Sequence, residues 1–187
     1  SQNSLCVGRD DIARYLDESL KEVKHRSTFL LYGERRMGKT SLLLQLTNSL
    51  GSSYLPIFYD LQSRRMTSGA DAFLYGLAEN IQDEMSLRGI KVRNLNSASL
   101  KDSLLINENA AYDLFNRWFD GVEKELEKAE RTILICFDEY EILAEVGSFS
   151  INLLLDWLRS TIQNRSHIAF LFCGVRTFDE LGIEWVN

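Results

Sequence analysis

Gly33-Glu34-Arg35-Arg36-Met37-Gly38-Lys39-Thr40 sets two glycines, a lysine and a hydroxyl residue at the spacing GxxxxGK[ST]. That combination can hold a polyphosphate. The glycines let the backbone wrap an anion. The amides of Gly38, Lys39 and Thr40, at the start of a helix, would point at a β-phosphate, and the positive end of the helix dipole adds attraction. Lys39 would bridge β- and γ-phosphates, and the Thr40 hydroxyl would coordinate Mg²⁺. Glu34, Arg35, Arg36 and Met37 form the body of the loop and Ser41 follows it, so the nucleotide contacts run from Gly33 to Ser41. Arg35 and Arg36 are equally compatible with plain solvation.

A second chemistry lies in Thr132-Ile-Leu-Ile-Cys-Phe137-Asp138-Glu139, an apolar run that ends in two carboxylates. Asp138 is suited to the Mg²⁺ shell and Glu139 to polarising an attacking water as general base. The competing reading is a surface turn, since Glu141 and Glu145 follow closely. A third candidate is Arg176, a cation at the end of His167-Ile-Ala-Phe-Leu-Phe-Cys-Gly-Val-Arg176, which could contact a γ-phosphate and register its loss. His25 and His167 have no metal-ligand partners at useful spacing.

These residues need strands that end together. Four short, near-continuously apolar runs, 28–32, 55–59, 132–137 and 167–172, read as strands buried on both faces of a parallel sheet. Between them, helical periodicity runs through Asp11–Val23, Thr40–Leu50, Ala70–Leu87, Asn109–Ala129 and Phe149–Ile162. Alternation of this kind predicts an α/β fold of three layers, an open parallel sheet with helices on both faces and its ligand beyond the carboxyl ends of the strands. The polar, Asn- and Ser-rich stretch from Arg88 to Asn107 is expected to be a loop between helices. The charged run from Glu123 to Arg131 is expected to be a solvated helix end, with pairs such as Glu127 and Arg131 across one helical turn.

Length and composition bound the rest. At 187 residues the chain suits one domain, taken as 1–187, and no apolar run reaches the ~18 residues of a membrane span. No secretory signal opens it, so the cytoplasm is the expected compartment and no membrane partner is expected. Three scattered cysteines, Cys6, Cys136 and Cys173, fit buried free thiols better than a disulfide framework or a zinc site. A net charge of −6 does not indicate a domain-wide nucleic-acid surface, although a local basic patch would be compatible with it.

Together, Val7-Gly8-Arg9, the loop from Gly33 to Thr40, Ile135-Cys-Phe-Asp-Glu139 and the strand ending in Arg176 resemble the signal-transduction ATPases with numerous domains. That is the STAND group within the wider AAA+ class of P-loop ATPases. The resemblance implies ATP with Mg²⁺ as ligands, Val7, Gly8 and Arg9 beside the adenine, Arg176 as the sensor arginine, and Lys39 and Glu139 in catalysis. It also implies a five-stranded, mostly parallel sheet of order 5-1-4-3-2, which would make Cys136 and Cys173 neighbours. A carboxyl-terminal helical or winged-helix module is part of the pattern and none is visible before Asn187, so the chain is taken as a fragment of a longer protein. No guanine-reading Asn-Lys-x-Asp tetrad is present, in keeping with ATP. The implied partners are ATP and ADP, other domains of the longer protein and a nucleotide-dependent homo-oligomer. Three functions follow: a slow regulatory ATPase switch that is weak in the isolated fragment, an AAA+ loader or initiator acting on DNA, or a scaffold stabilised by nucleotide without turnover.

Overall fold

Strands that read as apolar at every position must be covered on both sides, and the structure, a computed structural model, shows how. It describes residues 9–22, 28–33, 41–43, 50–61, 69–145, 151–177 and 179–181. β1 (Thr28–Tyr32), β2 (Tyr54–Asp60), β3 (Thr132–Asp138) and β4 (Ile168–Gly174) form one sheet of order β1-β4-β3-β2, with every neighbouring pair parallel. β4 is buried along its whole length and β3 from Ile133 to Phe137. This is the 1-4-3-2 part of the expected order. The expected fifth strand has no counterpart among the described residues.

Alternate residues of each strand serve opposite faces. On one face Leu55, Ile57, Ile133, Ile135, Phe137, Phe170 and Phe172 belong to the larger core. The helices over it are α2 (Ala70–Leu87), α3 (Ser97–Ile106), α4 (Glu108–Lys128), the short α5 (Ile142–Glu145) and α6 (Ile151–Asn164). On the other face Leu134, Cys136, Ala169, Leu171 and Cys173 pack with Leu16 and Leu20 of α1 (Arg9–Glu22) and with Leu43. Leu43 lies in the helical residues 41–43, the described part of the helix expected from Thr40. The layers are therefore helix, sheet, helix.

Polar groups fix the helices at chosen points. The Tyr59 hydroxyl donates to the Phe73 carbonyl at 2.9 Å, and Asn80 donates to the Phe58 carbonyl at 3.1 Å, so α2 is tied to β2. Arg165, just past α6, donates to Glu123 at 2.9 Å and Asp120 at 2.7 Å of α4, with its guanidinium 4.9 Å from the centre of the Phe119 ring. Trp157 of α6 donates to Asn116 of α4 at 3.0 Å.

Two local expectations are corrected. The stretch from Arg88 to Asn107 holds the ten-residue helix α3. Asn96 caps its start by accepting from the amides of Ala98 and Ser99, and Asn107, which ends α3, caps α4 by accepting from Ala110. The Glu127–Arg131 pair has no helix to stand on: α4 ends at Lys128, and Glu130 turns the chain with φ 53°. The ion pair formed there is Lys128 with Glu125, at 2.7 Å.

Candidate functional site

The carboxyl ends of the four strands are tied together by backbone hydrogen bonds. Leu61 after β2 donates to the Asp138 carbonyl at 3.4 Å, and Tyr140 after β3 donates to Cys173 at 3.2 Å. Gly33 after β1 donates to Gly174 at 3.2 Å. The strand that leads into the glycine-lysine loop, the one that carries the carboxylates and the one that leads to Arg176 thus end at one edge of the sheet. An open α/β sheet presents its ligand there.

Asp138 and Glu139 are half-buried at the end of β3. Leu134 and Cys136 face α1 and Leu43, so strand alternation turns Asp138 to that same face, the side on which the helix after the loop begins. Its Oδ1 accepts from the Glu139 amide at 3.0 Å. Asp60 at the end of β2 is in register with it, which sets two carboxylates at adjacent strand ends. Glu139 has φ 55°, a left-handed conformation unusual for a residue with a Cβ. The chain reverses there, and the next amide, that of Tyr140, turns back to β4.

After β4, Arg176 is exposed, while its backbone is held on both sides. Its amide donates to Glu141 Oε1 at 2.9 Å, its carbonyl accepts from the Tyr140 hydroxyl, and the Val175 amide also donates to Glu141 Oε1. Burial first, and then Glu141, Glu180 and Cys173, push the Tyr140 phenol up, so it stays a donor. Glu141 is only 8% exposed.

Of the other candidates, Ser41 opens the helical residues 41–43 and is exposed, and Arg9 is the first residue of α1. Val7, Gly8, Glu34, Arg35, Arg36, Met37, Gly38, Lys39 and Thr40 lie outside the described residues. Cys136 and Cys173 are free and buried on the same face of adjacent strands. Burial, with smaller contributions from Cys173 and Asp138, pushes the Cys136 thiol up. Cys6 lies outside the described residues. Sequence reasoning passed over Tyr140, Glu141 and Gly174. The one signal for them was a glycine two residues before the strand-end arginine.

Mg²⁺ takes oxygen ligands and completes its shell with phosphates and water, so it needs only one or two protein groups. The Asp138 carboxylate at the strand end is a donor of that kind. No helix among the described residues is long and apolar enough to cross a membrane.

Comparison with solved structures gives the same fold. The Walker-type ATPase paby2304 of Pyrococcus abyssi is similar with TM-score 0.59 and 23% identity, over 89% of this chain and 45% of that one. The Aeropyrum pernix ORC2 protein in its ADP form is similar with TM-score 0.59 and 14% identity, over 90% of this chain and 41% of that one. The Aeropyrum pernix ORC1 protein in complex with DNA is similar with TM-score 0.50 and 20% identity, over 96% of this chain and 42% of that one. The chain thus spans less than half the length of each of these relatives. Comparison with curated proteins found no match. A family model described as an ATPase domain predominantly from Archaea matches residues 9–176, and with the strand ends, the loop motif and the carboxylate pair in that span, the chain belongs to this family of P-loop ATPases.

Proposed function

We propose that the domain binds ATP with Mg²⁺ at the carboxyl edge of the sheet and hydrolyses it slowly, as the regulatory switch of a longer, STAND-type signalling protein. The observation that carries this reading is the lacing of Gly33, Asp138 to Tyr140 and Gly174 into one edge, with Arg176 just beyond it. In this reading Gly33 to Ser41 wrap the phosphates, Lys39 bridges the β- and γ-groups, and Val7, Gly8 and Arg9 border the adenine. Thr40 and Asp138 hold Mg²⁺, which neutralises charge on the phosphate oxygens when bound. Glu139 accepts a proton from the attacking water, and Arg176 contacts the γ-phosphate. Loss of that contact on hydrolysis is the switch, which other domains or further copies of the chain read out. The domain spans 1–187 and turns over weakly by itself, in the cytoplasm.

A second reading, an initiator-type ATPase acting on DNA, is favoured by the fold likeness to the two ORC proteins. The net charge of −6 weighs against a duplex-binding surface within this domain. A nucleotide-stabilised scaffold differs from both in having no turnover.

Equilibrium binding of ATP, ADP and GTP with Mg²⁺, beside a Lys39→Ala control, is the first test. ATP should bind in preference to GTP, and Lys39→Ala should weaken ATP at least tenfold, given a charge-assisted contact to phosphate. Binding that ignores the lysine would overturn the site. Glu139→Gln should keep ATP affinity and lower turnover by about a hundredfold or more. Unchanged turnover would remove Glu139 from the mechanism, and no turnover in either protein would favour the scaffold.

A further inference from the structure

The two residues after Glu139 have no part in the chemistry above, yet they hold Arg176 by its backbone. Glu141 Oε1 accepts from two consecutive amides, those of Val175 and Arg176, and the Tyr140 hydroxyl donates to the Arg176 carbonyl. The carboxylate is seated against Gly174: a Cβ at that position would run into the Glu141 carboxylate and lie 2.6 Å from Tyr140 Cε1. Glycine at the end of β4 is thus what lets the carboxylate reach the amides.

A carboxylate in so buried a place is costly, and Glu141 is 8% exposed with Oε2 unpartnered among the described residues. An acid that served only to fill space would be better replaced by an apolar residue. What it contributes is geometry. Arg176 is exposed, and the backbone turn that Glu141 holds through the Val175 and Arg176 amides sets the position and direction of its Cα–Cβ bond, the root from which the guanidinium reaches out.

We propose that Glu141 is a positioning residue for the γ-phosphate sensor. It locks the turn that bears Arg176 to the turn that bears Glu139, so that the sensing cation and the general base move as one piece. This rests on the reading of Arg176 as the γ-phosphate contact. The link has a direction: withdrawal of the γ-phosphate releases Arg176, and the same carboxylate passes that displacement to the turn at Glu139.

The test is the preference of the chain for the non-hydrolysable β,γ-imido analogue of ATP over ADP, measured with Mg²⁺ at equilibrium. Wild type is compared with Arg176→Ala, Glu141→Ala, the double variant and Glu141→Gln. Arg176→Ala should lose about tenfold of that preference, the size of a charge-assisted hydrogen bond. Glu141→Ala should lose a similar factor, the double variant no more than either single one, and Glu141→Gln, whose Oε1 still accepts both amides, should stay within about twofold of wild type. If wild type shows no triphosphate preference, or Arg176→Ala leaves it unchanged, the reading of Arg176 fails and this inference with it. If Arg176→Ala behaves as expected while Glu141→Ala matches wild type, or the two losses multiply, the inference alone is overturned. A glutamine variant as impaired as the alanine one also overturns it. Should Glu141→Ala not fold, Tyr140→Phe decides: it keeps the ring, loses the hold on the Arg176 carbonyl, and should cost about threefold of the preference. An unchanged ratio there would overturn the inference.

Discussion

Glu139 has a left-handed backbone, φ 55°, where glycine would be at ease. Holding a residue with a Cβ there costs on the order of 1–3 kcal/mol, and the surrounding bonds from Asp138 and Tyr140 keep it in place. Glu139→Gly should therefore be more stable than Glu139→Ala by about 1 kcal/mol in urea unfolding. Equal stabilities would mean that the turn relaxes. The carboxylate pair itself was legible in the sequence because an apolar run that stops at Asp-Glu is a local pattern. Glu141 was not legible. Its partners lie beyond α6 in the chain, and only the β3–β4 pairing brings Val175 and Arg176 to it.

Among the elements, four strands and most helices could be placed to within two residues, because burial on both faces or along one stripe writes a period into the sequence. α3 escaped for a physical reason. Leu100 is its one fully buried residue, while Leu105 and Ile106 are exposed, so no stripe marks it. Its ends are written instead, in Asn96 and Asn107. Asn107 serves two helices, closing α3 and capping α4 through the Ala110 amide at 2.9 Å. Asn107→Ala should cost about 1 kcal/mol and speed hydrogen exchange in the first turn of α4, with the centre of α4 unaffected. Protection lost evenly along α4 would show that the junction holds more than a cap.

For the whole molecule, buried acids set an upper limit in pH. Burial pushes up the Cys136 thiol and the Tyr112 and Tyr140 phenols, with nearby acidic groups adding to the effect. The folded chain therefore keeps protons that the unfolded chain releases from its ordinary values, 9.0 for the thiol and 10.0 for the phenols. The stability this confers is fully present below those values and is lost as pH rises above them. The urea midpoint should hold steady to about pH 8.5 and fall by pH 10.5. The Tyr112 hydroxyl has no partner among the described residues. Tyr112→Phe should thus change stability by less than about 1 kcal/mol near pH 8 and make the alkaline fall shallower. A fall as steep as that of wild type would clear Tyr112 of any share in it. At this scale alternation gave the α/β class, whereas the strand order came from resemblance, since periodicity does not say which strands are neighbours.

The pairing of β1 with β4 also dictates a timetable. Roughly 140 positions separate Thr28 from its partner Phe170, so this contact is among the most expensive in loop closure that the chain makes. As the chain emerges from a ribosome, β2, α2, α3, α4 and β3 can gather into one half of the core while β1, though made earlier, waits for β4. The strand that leads into the phosphate loop is thus among the last to be docked. A nascent chain stopped short of Ile168 would hold much of a hydrophobic core and still lack the partner strand that Gly33 needs.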